Sequence, residues 1–199
     1  MSNRGDFENR FLFAGAIAAV IGLYFAIDYL LISRLPFGHK ARATLRLSQP
    51  IDVVFALIQS MESQPKWDPS IERVITQSPK EGIPRRKALS AKDSIHMYDV
   101  VVEPPTKLVR NMASHRESWV CEWTFALSPD GGGTKVVLAE VFAYPSSIWR
   151  HLARRGTDPL ARVNHQLASM ARALSQEPRI TDATCTVIRK AADVETDRM

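Results

Sequence analysis

Cysteine is almost absent from this chain of 199 residues, which contains only Cys121 and Cys185. Two cysteines so far apart cannot form the disulfide framework of a small secreted domain or a cysteine-rich zinc site. Cys121 lies in an apolar run, where we expect a buried free thiol. The cysteine content leaves the cellular compartment open and favours a reducing one.

Motifs for metals, nucleophiles and phosphates are also lacking. The 5 histidines form no HExxH or His-x-His spacing, and the chain has no G-x-S-x-G motif and no glycine-rich phosphate loop. We therefore predict no metal site, no cofactor and no assigned catalytic residue. Asp99 or Glu140, near Tyr98 or Tyr144, could form an acid–base pair, but nothing in the sequence brings them together.

The chain has no long block of a single charge. It contains 26 Lys and Arg and 21 Asp and Glu, for a net charge of +5. Because the two signs are interleaved, the charge pattern is typical of an ordinary soluble surface, and we predict no nucleic-acid partner. One small basic cluster could contact anionic lipid headgroups if it lies beside a membrane. It consists of Arg150, His151, Arg154 and Arg155.

One long hydrophobic run lies near the N-terminus. Residues 11–32 contain a single charge, Asp28, and no proline. A helix of this length spans about 33 Å, which matches a bilayer core of about 30 Å. The run is too long for the apolar region of a signal peptide and has no close small-x-small cleavage site. We therefore predict a short flank at 1–10 and an uncleaved transmembrane helix at 11–32, which makes the lipid bilayer a partner.

The basic residues around this run predict its orientation. Two precede it and four follow it, so the positive-inside rule places the remainder of the chain in the cytoplasm. These residues are Arg4, Arg10, Arg34, Lys40, Arg42 and Arg46. Residues 33–40, with Pro36 and Gly38, are predicted to be a linker that holds the following domain within about 28 Å of the bilayer.

Residues 41–176 carry two hydrophobic periods. A period of 3.6 predicts a short helix from Ile51 to Ile58 and a long helix that begins with Asp158 as N-cap and Pro159 at the first position. A period of 2 predicts antiparallel strands between them, with a loop at 78–86 and a tight turn at 130–133. The predicted strands are 44–47, 70–76, 94–103, 107–115, 117–127 and 135–144. We predict that the tail, 177–199, is polar and loosely ordered.

Helices segregated from an antiparallel sheet indicate an α+β domain. Five motifs, in order, then resemble one family: START-like domains of the polyketide cyclase/dehydratase and lipid transport (SRPBCC) superfamily. They are the strand-to-helix opening Leu45–Ile58, the Trp67-Asp68-Pro69 motif, the segment Val102–Val109, the segment Glu117–Trp123 and the hairpin Leu127–Val136. The resemblance covers about residues 41–176.

This resemblance implies a helix-grip fold, in which a curved antiparallel sheet grips the long C-terminal helix and leaves a cavity. It also implies a hydrophobic or lipid-like small-molecule ligand; a cyclase/dehydratase-type enzyme and an interaction domain with a filled core remain alternatives. Apolar and aromatic residues of the sheet and the helix are the candidates to line the cavity. They are Trp67, Trp119, Trp123, Phe125, Phe142, Tyr144, Trp149, Leu160, Val163, Leu167 and Met170. The polar Asn164, beside Val163 on the helix, is a further candidate.

Overall fold

The computed structural model describes residues 19–27, 30, 35–91, 93–146, 149–150 and 158–189. It divides into two compact units, Met1–Leu35 and Pro36–Met199. In the first unit, residues 19–27 and 30 are helical, and their large apolar side chains are exposed. No helix among the described residues is long and apolar enough to cross a membrane. The predicted flank at 1–10 lies outside the described residues, and so do residues 11–18, 28–29 and 31–32 of the predicted span, including Asp28.

Eight strands and two α-helices are described in the second unit, and residues 149–150 are also helical. The strands are β1 (Gly38–Leu47), β2 (Arg73–Lys80), β3 (Ile83–Leu89), β4 (Ser94–Glu103), β5 (Lys107–Ser114), β6 (Val120–Asp130), β7 (Gly133–Ala143) and β8 (Arg179–Ile188). The helices are α1 (Ile51–Gln59) and α2 (Pro159–Ala173), and a 3-10 helix, Met61–Lys66, follows α1.

All eight strands form one antiparallel sheet in the order β2-β3-β4-β5-β6-β7-β1-β8. Helix α2 packs on β1, β8 and β7, and helix α1 contacts β6 and β7. The predicted α+β class is confirmed, and the large curved antiparallel sheet with its C-terminal helix fits the helix-grip architecture.

Strand β6 illustrates how the alternating pattern builds the core. Cys121, Trp123 and Phe125 are buried on the inner face, whereas Glu122 and Thr124 point to the other face. The turn from β6 to β7 uses Gly131 and Gly132 at φ of +56° and +89°, which side chains other than glycine rarely adopt. The predicted turn at 130–133 is therefore confirmed.

Helix α2 begins as the sequence predicts. The Asp158 carboxylate accepts hydrogen bonds from the backbone N–H groups of Leu160 and Ala161, at 3.0 and 3.2 Å, and Pro159 occupies the first turn. These bonds satisfy two of the four N–H groups that a helix start leaves without intrahelical partners.

Two predicted loops are instead parts of the sheet. Residues 38–40 of the predicted linker belong to β1, and the predicted loop 78–86 is the β2–β3 hairpin, which turns at Glu81 and Gly82. Pro79 and Pro84 led to the loop prediction. Pro79 lies where the β2–β3 ladder shifts register, between Gln77 and Lys80, and Pro84 lies opposite it on β3. Neither proline is therefore one of the paired residues of the ladder.

The predicted tail at 177–199 was also wrong in part, because residues 179–188 form β8. This strand is exposed on nearly all of its length, and only Ile188 is fully buried. It is held by antiparallel backbone pairing with β1 from Gly38 to Arg46. A strand fixed mainly by backbone hydrogen bonds needs no apolar alternation, and the sequence therefore contains no period-2 signal for it.

Candidate functional site

A cavity of about 390 Å³ opens on the inner face of the sheet, beside helix α2 and the 3-10 helix. Its wall is largely aromatic and aliphatic. The lining residues are Gln64, Asp68, Ser70, Ile71, Ile95, Met97, Met112, Trp119, Cys121, Trp123, Glu140, Phe142, Tyr144, Arg162, His165 and Gln166.

The register of the central strands brings the polar and aromatic groups of this wall together. Cys121 on β6 lies opposite Phe142 on β7, and Trp123 lies opposite Glu140. On the other side of β7, His39 of β1 is the partner of Phe142. Because these residues share one parity on each strand, their side chains all point to the inner face.

The Glu140 carboxylate is the centre of a buried hydrogen-bond network. The Arg162 guanidinium donates to it twice, from Nε to Oε2 at 2.8 Å and from Nη2 to Oε1 at 2.6 Å. The Trp123 indole Nε1 donates to Oε2 at 2.9 Å, and the Cys121 Sγ lies 3.7 Å from the same oxygen. The Glu140 side chain has no solvent-exposed surface, so this carboxylate depends entirely on protein donors.

These contacts keep Glu140 ionised. Burial alone would raise its pKa, but hydrogen bonds from His39, Arg162 and Trp123, together with the Arg162 charge, outweigh burial and lower the pKa to about 2. The opposite holds for its neighbour: burial and the Glu140 charge raise the pKa of the Cys121 thiol. Cys121 is therefore a protonated donor rather than a nucleophile.

His39 completes the network from β1. Its Nε2 lies 2.8 Å from Nη2 of Arg162 and 3.3 Å from Oε1 of Glu140. A guanidinium can only donate and a carboxylate can only accept, so Nε2 accepts from Arg162 in one imidazole tautomer and donates to Glu140 in the other. The His39 ring also stacks on Phe142, with centroids 5.2 Å apart and an interplanar angle of 7°.

Arg162 holds the network to helix α2. Burial alone would lower its pKa, but the hydrogen bonds and charge of Glu140 raise the pKa of the guanidinium. Its Cζ lies 4.0 Å from the centroid of the Phe142 ring, a cation–π contact. The guanidinium is therefore fixed on three sides, by Glu140, His39 and Phe142.

A second polar group lies where the 3-10 helix meets the cavity. Asp68 is 2% exposed and accepts hydrogen bonds from the Ser70 backbone N–H at 3.0 Å, the Ser70 Oγ at 2.6 Å and the Gln64 Nε2 at 3.3 Å. The Gln64 Oε1 and the Gln166 Nε2 are buried and have no hydrogen-bond partner among the described residues. His165, on α2, lines the cavity while remaining exposed.

Four of the predicted pocket residues line the cavity: Trp119, Trp123, Phe142 and Tyr144. The others pack elsewhere in the domain. Trp67, Phe125, Val163, Leu167 and Met170 are in the buried core, Leu160 packs against it, and Trp149 and Asn164 are partly buried away from the cavity.

Helical geometry explains the placement of residues on α2. At about 100° per residue, Val163, Leu167 and Met170 form one stripe, and it packs on the core. Arg162 and Gln166 lie about 60–100° to one side of Val163 and reach the cavity. Asn164 lies about 100° to the other side and does not. The cavity-facing stripe is thus polar, which is why an apolar pattern did not identify it.

Most of the polar site residues could not be identified from the sequence. The sequence offers Asp99 or Glu140, near Tyr98 or Tyr144, as an acid–base pair. In the structure, Asp99 instead pairs with Arg110, at 2.7 Å, and does not line the cavity. The usable signal was the parity of Glu140, which places a carboxylate on the same face as Phe142 and Tyr144. Arg162, Gln64 and Gln166 showed no comparable signal, because their roles depend on tertiary contacts.

No group of three or more His, Cys, Asp or Glu side chains in the described ranges is arranged to hold a metal ion. Of the predicted basic cluster, Arg150 is described, and its guanidinium lies over the Phe37 ring at 5.7 Å. His151, Arg154 and Arg155 lie outside the described residues.

Solved structures with the same fold include aromatase/cyclases. The Zhui aromatase/cyclase from Streptomyces sp. R1128 matches with a TM-score of 0.54 at 13% identity, over 68% of this chain and 93% of that one. The di-domain ARO/CYC StfQ from the steffimycin biosynthetic pathway matches with a TM-score of 0.52 at 11% identity, over 71% of this chain and 52% of its own. Ara h 8.0201 matches with a TM-score of 0.50 at 13% identity, over 70% of this chain and 99% of that one. At these sequence identities, the similarity shows that the fold is shared.

Sequence comparison identifies the family. No curated protein matches the chain. A protein-family profile described as polyketide cyclase / dehydrase and lipid transport matches residues 38–175, which is more than half of the chain and ends before β8. The chain therefore belongs to the polyketide cyclase / dehydrase and lipid transport family.

Proposed function

We propose that this protein binds a hydrophobic or lipid-like small molecule in the cavity between the sheet and helix α2. The observation that carries the proposal is the cavity itself, whose volume of about 390 Å³ falls in the range of about 300–1,000 Å³ typical of small-molecule pockets. Aromatic and aliphatic side chains form most of its wall. A space of this size also argues against the alternative of an interaction domain with a filled core.

A cyclase/dehydratase-type enzyme is the second candidate, favoured by the charged pair at the cavity wall and by the family description. The hydrogen bonding and ionisation of Glu140 favour the binding function over the enzyme. Both of its oxygens already accept hydrogen bonds, and its pKa of about 2 is far below the range suited to proton transfer near neutral pH. Glu140 therefore orients Arg162 better than it would move a proton.

Native mass spectrometry of the full-length protein, with solvent extraction of its ligands, tests the binding proposal. The variant Ile95→Trp places a large ring at the cavity wall and is expected to lower ligand occupancy at least several-fold. The matched control is Val102→Trp on the same strand, where the side chain is 42% exposed and away from the cavity. The control should retain the occupancy of the unmodified protein.

Two outcomes would count against binding: no co-purifying molecule in several lipid backgrounds, or equal occupancy in Ile95→Trp and Val102→Trp. The enzyme candidate makes a different prediction, because turnover would convert an added hydrophobic substrate to a product that differs by ring closure or loss of water. A ligand recovered unchanged after incubation favours binding.

We also propose that residues 11–32 attach the protein to a membrane, with the globular domain on the cytoplasmic side. The support is the length and apolarity of this run and the exposure of Leu23, Tyr24 and Phe25, each above 60%. Fractionation of cells expressing the full chain should place it in the membrane pellet after alkaline extraction. A version that begins at Pro36 should be released, and equal release of both would overturn the attachment.

A further inference from the structure

The polar groups of the cavity narrow the class of ligand. Resting on the proposed binding function, we propose that the cavity selects uncharged molecules that carry a hydrogen-bond-accepting oxygen, such as a ketone or ester carbonyl, and discriminates against carboxylates. Three observations lead to this: an uncommitted donor on Arg162, a buried donor on Gln166, and the balance of charge around the cavity.

Arg162 offers one donor to a ligand. Its Nε and Nη2 are committed to Glu140 and His39, at distances of 2.6–2.8 Å. No hydrogen bond to Nη1 is formed by any residue that the structure describes. The Arg162 side chain lines the cavity and is 30% exposed, so Nη1 can donate to a ligand oxygen.

Gln166 supplies a second donor one helical turn further along α2. It is only 4% exposed, it lines the cavity, and its Nε2 has no hydrogen-bond partner among the described residues. A buried donor without an acceptor is costly, and a ligand oxygen would remove that cost. Because residues four apart share a face, Arg162 and Gln166 can address the same end of a ligand.

Gln64 presents the complementary group. Its Nε2 faces the Asp68 carboxylate, which can only accept, so this contact fixes the amide orientation and leaves Oε1 as the atom without a partner. A hydroxyl elsewhere on the ligand would satisfy it. The cavity therefore combines donors on α2 with an acceptor on the 3-10 helix.

The charge around the cavity disfavours an anion. Among the lining residues that the structure describes, there are two carboxylates, Glu140 and Asp68, and one guanidinium, Arg162. The remaining basic side chain of this set is His165, which is exposed. Glu140 neutralises Arg162 through two direct hydrogen bonds. A ligand carboxylate would lose its hydration and gain no unbalanced positive charge, whereas a carbonyl would lose little.

A matched pair of probes tests this selectivity. 2-Acetonaphthone and 2-naphthoate share one aromatic body and differ in a neutral ketone against a carboxylate. Isothermal titration calorimetry of the full-length protein at pH 7.5 should give at least about tenfold tighter binding of the ketone.

Removing a cavity carboxylate should change the ratio of the affinities for 2-acetonaphthone and 2-naphthoate. Glu140→Gln leaves the Arg162 charge unbalanced and is expected to shift the ratio towards naphthoate by about tenfold or more. Asp68→Asn is a second variant that leaves Arg162 and its partners intact, and it should shift the ratio in the same direction. Arg172→Met, on an exposed position of the same helix, is the control and should leave the ratio unchanged.

The outcomes separate this inference from the function on which it rests. Equal or tighter binding of naphthoate by the unmodified protein, or a ratio unchanged in both carboxylate variants, would overturn the selectivity while leaving the binding function intact. Binding of neither probe, together with no ligand by native mass spectrometry, would overturn both.

Discussion

At the scale of single residues, Glu140 is a charged group that the domain encloses completely. It is a carboxylate without solvent exposure, and it is kept charged by Arg162, Trp123 and His39. Such a group links the stability of the fold to pH, because the unfolded chain would bind a proton at an ordinary pKa, whereas the native protein resists protonation.

The sign of this pH dependence follows from the lowered pKa. Between the usual value of 4.5 and about 2, the unfolded state binds more protons than the native state. The stabilisation, about 3 kcal/mol, is therefore fully present above pH 4.5 and is lost as the pH falls towards 2. Urea unfolding followed by tryptophan fluorescence at pH 7, 4 and 3 should show this decline.

The variant Glu140→Gln isolates the contribution of the carboxylate. It should destabilise the domain by about 3–5 kcal/mol at pH 7, because Arg162, which is partly buried, stays charged without its counter-ion. It should also flatten the decline between pH 4.5 and 3. Glu103→Gln, at an exposed position, serves as the control. A Glu140→Gln protein with an unaltered acid limb would show that the stability loss has another origin.

At the scale of elements, β8 changes the environment of β1. Without β8, β1 would be the exposed edge of the sheet, opposite β2, because β7 pairs with only one side of β1. Exposed edges invite pairing with other chains. Strand β8 covers this edge through backbone bonds, and Ile188 and Ile180 add apolar contacts at its two ends.

Removal of this strand should therefore expose β1. A chain truncated after Gln176 is expected to lose several degrees of melting temperature and to self-associate in size-exclusion chromatography. The control is a chain truncated after Arg189, which keeps all of β8. If both truncations remain monomeric with the same melting temperature, β8 does not protect the edge.

The secondary-structure elements also show which parts of the fold could be predicted from the sequence. Alternating strands such as β6, the glycine turn at 131–132 and the Asp158 cap of α2 were predictable, because each rests on local physics. The β2–β3 hairpin and β8 were not. The β2–β3 hairpin carries prolines where its ladder is interrupted, and proline argues against a strand in a sequence. Strand β8 is polar and held by backbone pairing, so it lacks the alternating apolar pattern of a strand.

The site shows the same division. The aromatic wall of Trp119, Trp123 and Phe142 follows from strand parity, which the sequence displays. The polar wall does not, because Arg162 becomes important only when α2 lies across β7 and meets Glu140. Apolar periodicity identifies the residues that fill the hydrophobic core. It does not identify polar residues that line a cavity.

At the scale of the whole molecule, the family match and the compact unit have different bounds. The match covers residues 38–175, whereas the sheet continues to Ile188. This chain therefore carries the family domain together with a C-terminal strand that lies beyond the match. The added strand lies beside β1, where the domain begins.

That placement brings the two ends of the domain together. The backbone N–H of Phe37 donates to the carbonyl of Ile188 at 2.8 Å, and Gly38 pairs with the same residue. A short peptide could therefore join the ends into a ring, and the ring could be reopened at the Gly131–Gly132 turn without cutting the cavity wall. The domain is therefore suited to circular permutation. Such a permuted chain would keep the order of the strands in the sheet while changing their order along the chain.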